Sequence, residues 1–292
     1  MPRSLAASLT GLFAAVLLPL GILSVWVDGV VSDTDTYVDT VTPLADDDAV
    51  KAAAIKELQR EALQAVAESG VSLGPGGGQQ LVGLVVRNVV NSPAFRTVWV
   101  EANRAAHEQV VAVLERRGDA HLDDQGRVSI DLGAALESVV SQLTIKGFPA
   151  PDTSGIDASF AVMDADQLAK ARRAYDALDT LGFWLPVGWL VAVALTLLLA
   201  RRRLAGTASL AAASAVALGG LALALAFARE AVTEDLPQRD VALAVWDVVV
   251  AGLWREIEVA GAIAVAVAVV AWLVSRLWRP SGPGPDDEAA YA

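Results

Sequence analysis

The chain has 292 residues, no cysteine, a formal net charge of -12 and 54% hydrophobic residues. Without cysteine it can form no disulfide, lipoprotein attachment, thiolate metal site or cysteine nucleophile. The acidic balance excludes a nucleic-acid binder, which needs a basic face to displace counterions, and so apolar a chain with unevenly spread charge has a membrane composition.

The first apolar run, residues 4–27, carries no charge over 24 residues. A helix of about 20 apolar residues crosses the hydrocarbon core, because only a helix satisfies its own backbone in lipid. Val25-Trp26-Val27-Asp28 offers no small-residue cleavage site, so residues 1–27 are predicted to be an uncleaved transmembrane anchor rather than a secretory signal.

Residues 28–180 follow as a predicted soluble domain, long enough to bury a core of its own. Over residues 28–181 there are 24 acidic and 13 basic side chains, a difference of -11, so nearly all the net charge lies here. Such a surface keeps a domain soluble and repels anionic headgroups. Asp46, Asp47 and Asp48 introduce a helical pattern through Val50, Ile55, Leu58, Leu63 and Val66, where acids suit the positive end of a helix. A calcium loop would need more oxygen ligands at loop spacing than this run supplies.

Gly74-Pro75-Gly76-Gly77-Gly78 breaks that helix without the Gly-Lys-Ser/Thr of a phosphate loop. A second helix is predicted over residues 79–90. A third begins with Ser92 as cap and Pro93 in the first turn, carries Phe95, Val98, Trp99, Ala102, Ala106, Val110, Val113 and Leu114, and stops at Gly118. His121-Leu122 and Arg127-Val128-Ser129-Ile130, joined by Asp123-Asp124-Gln125-Gly126, read as a β-hairpin. Asp131 is placed to cap a helix through Leu132, Leu136, Val139, Val140 and Leu143. After Pro149 and Pro151 a strand is predicted over 158–163, then a helix capped by Asp164 through Leu168, Ala171, Tyr175 and Leu178. The fold class is thus membrane, mainly α: four transmembrane helices and a helix-rich α+β extracytoplasmic domain with a small hairpin or sheet.

Residues 181–278 form a predicted three-helix transmembrane region with spans at about 181–200, 204–228 and 250–275 and an outer loop at 229–249. Arg3, the trio Arg201, Arg202 and Arg203, and Arg276 with Arg279 all fall at one side of the spans, the cytoplasmic side by the positive-inside rule. Both termini are then cytoplasmic in the cell membrane, and residues 28–180 lie outside. Residues 279–292, with Pro280, Pro283, Pro285 and Asp286-Asp287-Glu288, read as a short disordered tail. Trp26, Trp184, Trp189, Trp272 and Trp278 sit near the expected boundaries, as interfacial anchors do.

Chemistry is hard to find. His107 and His121 are the only histidines and form no His-Glu-x-x-His pattern; no Gly-x-Ser-x-Gly or Ser-x-x-Lys nucleophile motif occurs. The apolar centres of the spans hold no ionisable residue to mark a transport path, and Gly219-Gly220 with Ala211, Ala212, Ala213 and Ser214 suits close helix packing. The last outer helix enters the second span with only Gly182 as a breaker, an arrangement open to a mechanical relay or to simple continuation of a helix. No catalytic, cofactor-binding or metal-binding residue is assigned, and no cofactor is expected.

Tyr37-Val38-Asp39-Thr40-Val41-Thr42-Pro43-Leu44-Ala45, Ser92-Pro93-Ala94-Phe95 with Trp99, Asn103 and Ala106-His107-Glu108-Gln109, and Asp157-Ala158-Ser159-Phe160 resemble the corresponding segments of an actinobacterial family of integral membrane proteins. That resemblance implies an anchor, a large outer domain and three further spans, and it brings no activity or site residue with it. The expected partners are the lipid bilayer and an envelope protein or ligand, with no nucleic acid. The leading expectation is a non-enzymatic envelope protein whose outer domain binds that partner; an accessory or oligomeric subunit of a transport system comes second, and a hydrolase acting on cell wall or lipid third.

Overall fold

The computed structural model describes residues 2–68, 77–117, 121–122, 127–131, 159–200, 203–234 and 236–277. Helices dominate: α1 (Pro2–Ser32), α2 (Thr34–Val41), a 3-10 turn (Thr42–Asp46), α3 (Asp48–Glu68), α4 (Gly77–Val90) and α5 (Pro93–Leu114) come first. Three short extended segments, β1 (His121–Leu122), β2 (Arg127–Asp131) and β3 (Ser159–Asp164), pair antiparallel in that order, with a register shift at Val128/Ser129. Three long helices, α6 (Ala165–Leu199), α7 (Arg203–Thr233) and α8 (Arg239–Leu277), complete the fold. The expected Asp123–Gly126 turn, the helix after Asp131, the Pro149/Pro151 loop, the Gly74–Gly78 break and the 279–292 tail fall wholly or largely outside the described residues.

Among the described residues four helices are long and apolar enough to cross a membrane: Ala6–Ser32, Asp166–Leu199, Arg203–Thr233 and Arg239–Leu277. All four outrun the charge-free stretches that mark them in the sequence. Helix α6 passes through Gly182 and Pro186 without a break. The segment expected as an outer loop, 229–249, is mostly helical, since α7 continues to Thr233 and α8 already begins at Arg239. Four of its charges pair on helix surfaces: Arg229 grips Asp247 with two bonds of 2.8 Å, and Arg239 meets Glu230 at 2.8 Å.

The chain divides into two compact units. One comprises Met1–Val25, Leu181–Ala226 and Leu253–Ala292; the other comprises Trp26–Thr180 and Phe227–Gly252. In the first, Ala14, Leu17, Ala192 and Leu210 form a core with Leu185, Trp189 and Val193 packed against it. Small residues set the approach of α1 to α6. A Cβ at Gly11 would lie 3.3 Å from the Thr196 methyl, and nearby Thr196 Oγ donates to Thr10 Oγ at 3.1 Å. Many of this unit's large apolar side chains, among them Leu12, Leu198, Val216 and Ile263, remain exposed, as lipid-facing side chains do.

The second unit has its own cores. Val41, Leu44 and Val50 pack with Tyr37, Trp99 and, from α8, Val241, Ala244 and Val248. The last three follow helical spacing, so the start of α8 supplies core to a unit in which the sequence suggested only a loop. Leu114 and Leu168 form a second cluster with Val110, Val113, Ala171 and Tyr175.

Local signals explain the element ends. Asp33 caps α2, accepting from the Thr36 N–H at 2.7 Å. Of the three aspartates, Asp47 caps α3, accepting from Ala49 at 2.9 Å and Val50 at 3.1 Å, while Asp46 pairs with Arg96 and Lys51. Ser92 precedes α5, but its hydroxyl donates back to the Val89 carbonyl at 2.7 Å and caps nothing. Helix α5 ends before Gly118. Arg116 takes the left-handed conformation, φ 61°, and the Arg117 N–H reaches back to the Ala112 carbonyl at 2.9 Å, the reversal usually given to glycine.

Candidate functional site

The described part of the second unit presents two contrasting surfaces, one closed by a polar network and one left open. Trp99, Asn103 and His107 recur at four-residue spacing and therefore share one face of α5. That face meets α2. The Tyr37 and His107 rings stack with centroids 4.2 Å apart and planes 17° from parallel. The Tyr37 hydroxyl donates to Asn103 Oδ1 at 3.2 Å, Asn103 Nδ2 donates to the Trp99 carbonyl at 2.8 Å, and Trp99 Nε1 donates to the Val41 carbonyl at 3.0 Å. His107 is buried, with Nδ1 3.1 Å from the Thr34 hydroxyl. At the edge Arg104 reaches Asp35 at 2.6 Å.

Burial lowers the His107 pKa, against a hydrogen bond to the Val30 carbonyl and the charges of Asp33 and Glu108. The neutral ring can satisfy both polar neighbours, one nitrogen donating to Val30 while Nδ1 accepts from Thr34. Burial likewise raises the Tyr37 phenol, and the Thr36 N–H holds Asp33 below its ordinary value. A hydroxyl beside an imidazole is the contact a nucleophile and base would make. Here the ring is clamped against Tyr37 and its polar atoms are committed to α1 and α2, so the network fastens helices together. Tyr37 is far in the sequence from Trp99, Asn103 and His107, and the fold brings all four into one cluster.

Helix α4 is the open surface. It packs its Gly83 and Val90 inward, where a Cβ on Gly83 would run into the Gln59 amide of α3. Leu81, Leu84, Val85 and Val89, spaced three and four apart, form a continuous apolar stripe that is 64%, 52%, 61% and 53% exposed. Leu58 of α3 is also 43% exposed. A contiguous exposed stripe differs from a scattered exposed leucine, which needs no explanation.

In the first unit a crevice of about 250 Å³ is lined by Leu17, Gly21, Ile22, Pro186, Trp189 and Glu256. Trp189 Nε1 is buried there without a hydrogen-bond partner. The sequence suggested neither this crevice nor the exposure of α4; it showed the apolar spacing of residues 81–89, but spacing alone does not say what covers a face. Among the described residues no group of three or more His, Asp or Glu is placed to hold a metal ion, and the His121 side chain lies outside them.

The chain was compared with protein-family models, with curated proteins and with solved structures, and it matches none.

Proposed function

We propose that this is a multi-pass cell-membrane protein of the envelope, related to the actinobacterial family it resembles, with both termini cytoplasmic and residues 28–180 forming a helix-rich α+β domain outside. Its function is non-enzymatic recognition: the outer domain docks onto an envelope component. The observation that supports this reading is the stripe Leu81, Leu84, Val85 and Val89, left open on a unit that has built its own cores elsewhere. The excess of arginine at one end of the spans supports the orientation.

The absence of native cysteine allows one experiment to test side and docking together. Single-cysteine variants Glu61→Cys, Leu84→Cys and Arg203→Cys are exposed in intact cells to a maleimide that cannot cross membranes. Glu61→Cys is expected to label at once, Arg203→Cys only after permeabilisation, and Leu84→Cys several-fold more slowly than Glu61→Cys, with detergent removing the difference. Labelling of Arg203→Cys alone in intact cells overturns the orientation. Equal rates at positions 61 and 84 overturn docking.

An accessory role in a transport system is the second reading, favoured by the Trp189 and Glu256 crevice, since a polar group within a candidate span often lines a path. Purified protein that moves no ion or solute in liposomes, alone or with co-purified subunits, would remove it.

A further inference from the structure

We propose that the α4 stripe docks on the bilayer itself, lying in the interfacial plane of an anionic lipid surface. This rests on reading α4 as a docking face and names its occupant.

Length argues first. Helix α4 has 14 residues, about 21 Å at the rise of an α-helix, against about 30 Å of hydrocarbon. It is therefore too short to span. An apolar helix of this length belongs either in a core or at an interface, and α4 leaves Leu81, Leu84, Val85 and Val89 more than half exposed. The core alternative is thus used by only one side of the helix.

Charge argues second. Residues 28–181 hold 24 acids, yet none of them falls between Glu68 and Glu101. Those 32 intervening residues carry only Arg87 and Arg96, and Arg96 is engaged with Asp46. On α4 itself the polar positions are Gln79, Gln80, Arg87 and Asn88, all exposed. An acidic body is repelled by anionic headgroups; this helix is the part of it that is not. Interfacial helices present an apolar face to lipid with basic residues on the polar side; α4 has the apolar face and one such residue, Arg87.

Tethering argues third. One arginine and four aliphatic side chains make a weak free ligand for a membrane. On a chain that also carries four candidate spans, docking is intramolecular, and effective concentration replaces intrinsic affinity.

The test uses the full chain, purified and reconstituted into vesicles of phosphatidylcholine with a minority of phosphatidylglycerol. Leu84→Cys, Val85→Cys and, as reference, Glu61→Cys on α3 each carry one environment-sensitive fluorophore. Expected are a blue-shifted emission at positions 84 and 85 and several-fold stronger quenching there by lipids spin-labelled high on the acyl chain than at position 61. Arg87→Ser should weaken that quenching in the anionic vesicles. If position 84 cross-links to itself between copies and lipid does not quench it, the occupant is a second chain; the lipid proposal falls and docking stands. If positions 84 and 85 are shielded from aqueous quencher with neither lipid quenching nor cross-linking, the face is covered within the chain, and again the lipid proposal falls. If both labels are as open to water as position 61, lipid docking and the docking reading fall together.

Discussion

Helices α4 and α5 follow one another with two residues between them and solve opposite problems. In α5, Trp99, Asn103 and His107 are committed to α2 through a stack and hydrogen bonds, so nothing on that face is available to a partner. In α4 the inward side is closed by Gly83 and Val90, while four aliphatic side chains are more than half exposed. The contrast separates two kinds of apolar helix that look alike in sequence. On the α5 face the polar residues locate the contact; among the described residues, the exposed polar ones of α4 make none of that kind with α2.

The largest expected effect compares the same substitution at both places. Leu44 is 3% exposed within the Val41, Leu44 and Val50 core beneath α5, and Leu44→Ala should destabilise the second unit by about 3 kcal/mol, the transfer and cavity cost of a buried leucine. Leu84, 52% exposed, should tolerate Leu84→Ala within about 0.5 kcal/mol in detergent. Denaturant titration of the full chain, followed by tryptophan fluorescence, measures both. A Leu84→Ala cost close to that of Leu44→Ala would mean that the α4 face is already buried, and the contrast would collapse.

A middle-sized effect is expected at His107. Removing the ring by His107→Ala loses the Tyr37 stack and the Thr34 contact, together about 1–2 kcal/mol. The site is also sensitive to pH. An unfolded histidine titrates near about 6.5, while burial holds folded His107 lower. Between those two values the unfolded chain binds more protons, so stability is complete above about 6.5, falls as pH drops through the window, and levels off below the folded value. Asp33 and Glu108, with the Val30 carbonyl, soften the fall. Melting temperatures taken above and below the window should converge in His107→Gln; an unchanged difference would place the pH dependence elsewhere.

Much of this fold is legible in the residues. Charge-free runs announce the four candidate spans, because a bilayer demands length and apolarity and little else. Asp47 and Pro93 mark helix starts by local chemistry that needs no tertiary context. What stays hidden depends on partners distant in sequence. The ends of α7 and α8 look like loop because Arg229, Glu230, Arg239 and Asp247 are polar; they become helix surface once paired across the turn. Arg116 stops α5 from a left-handed position that is usually glycine's, and Asp176, 60 residues away, binds its guanidinium at 2.9 Å. His107 looks like any exposed helix residue between Ala106 and Glu108 until Tyr37 covers it. The candidate site was the least legible part: an apolar stripe reads as core until the structure shows its side chains more than half exposed.

The smallest effect tests whether hydrogen bonds between helices carry the same weight in the apolar unit as in the α2–α5 cluster. Thr196 is 3% exposed; its single hydroxyl proton has two acceptors in reach, the Ala192 carbonyl at 2.7 Å and Thr10 Oγ at 3.1 Å, and serves one of them at a time. Thr196→Val keeps the shape and removes the donor. Thr10 loses that contact yet keeps its own bond to the Ala6 carbonyl at 3.0 Å, so its proton is not orphaned. The Ala192 carbonyl remains an acceptor within α6. With no buried group stranded, the cost should be about 0.6 kcal/mol, typical of polar contacts between membrane helices, and Thr10→Val combined with Thr196→Val should cost little more than the worse single change. Equilibrium unfolding in mixed micelles measures the cycle. A coupling above about 1.7 kcal/mol, the upper end for such contacts, would make this pair the fastener of α1 to α6. A coupling near zero would leave that task to the close approach at Gly11, in which case Gly11→Leu should separate the two helices while Thr196→Val does not.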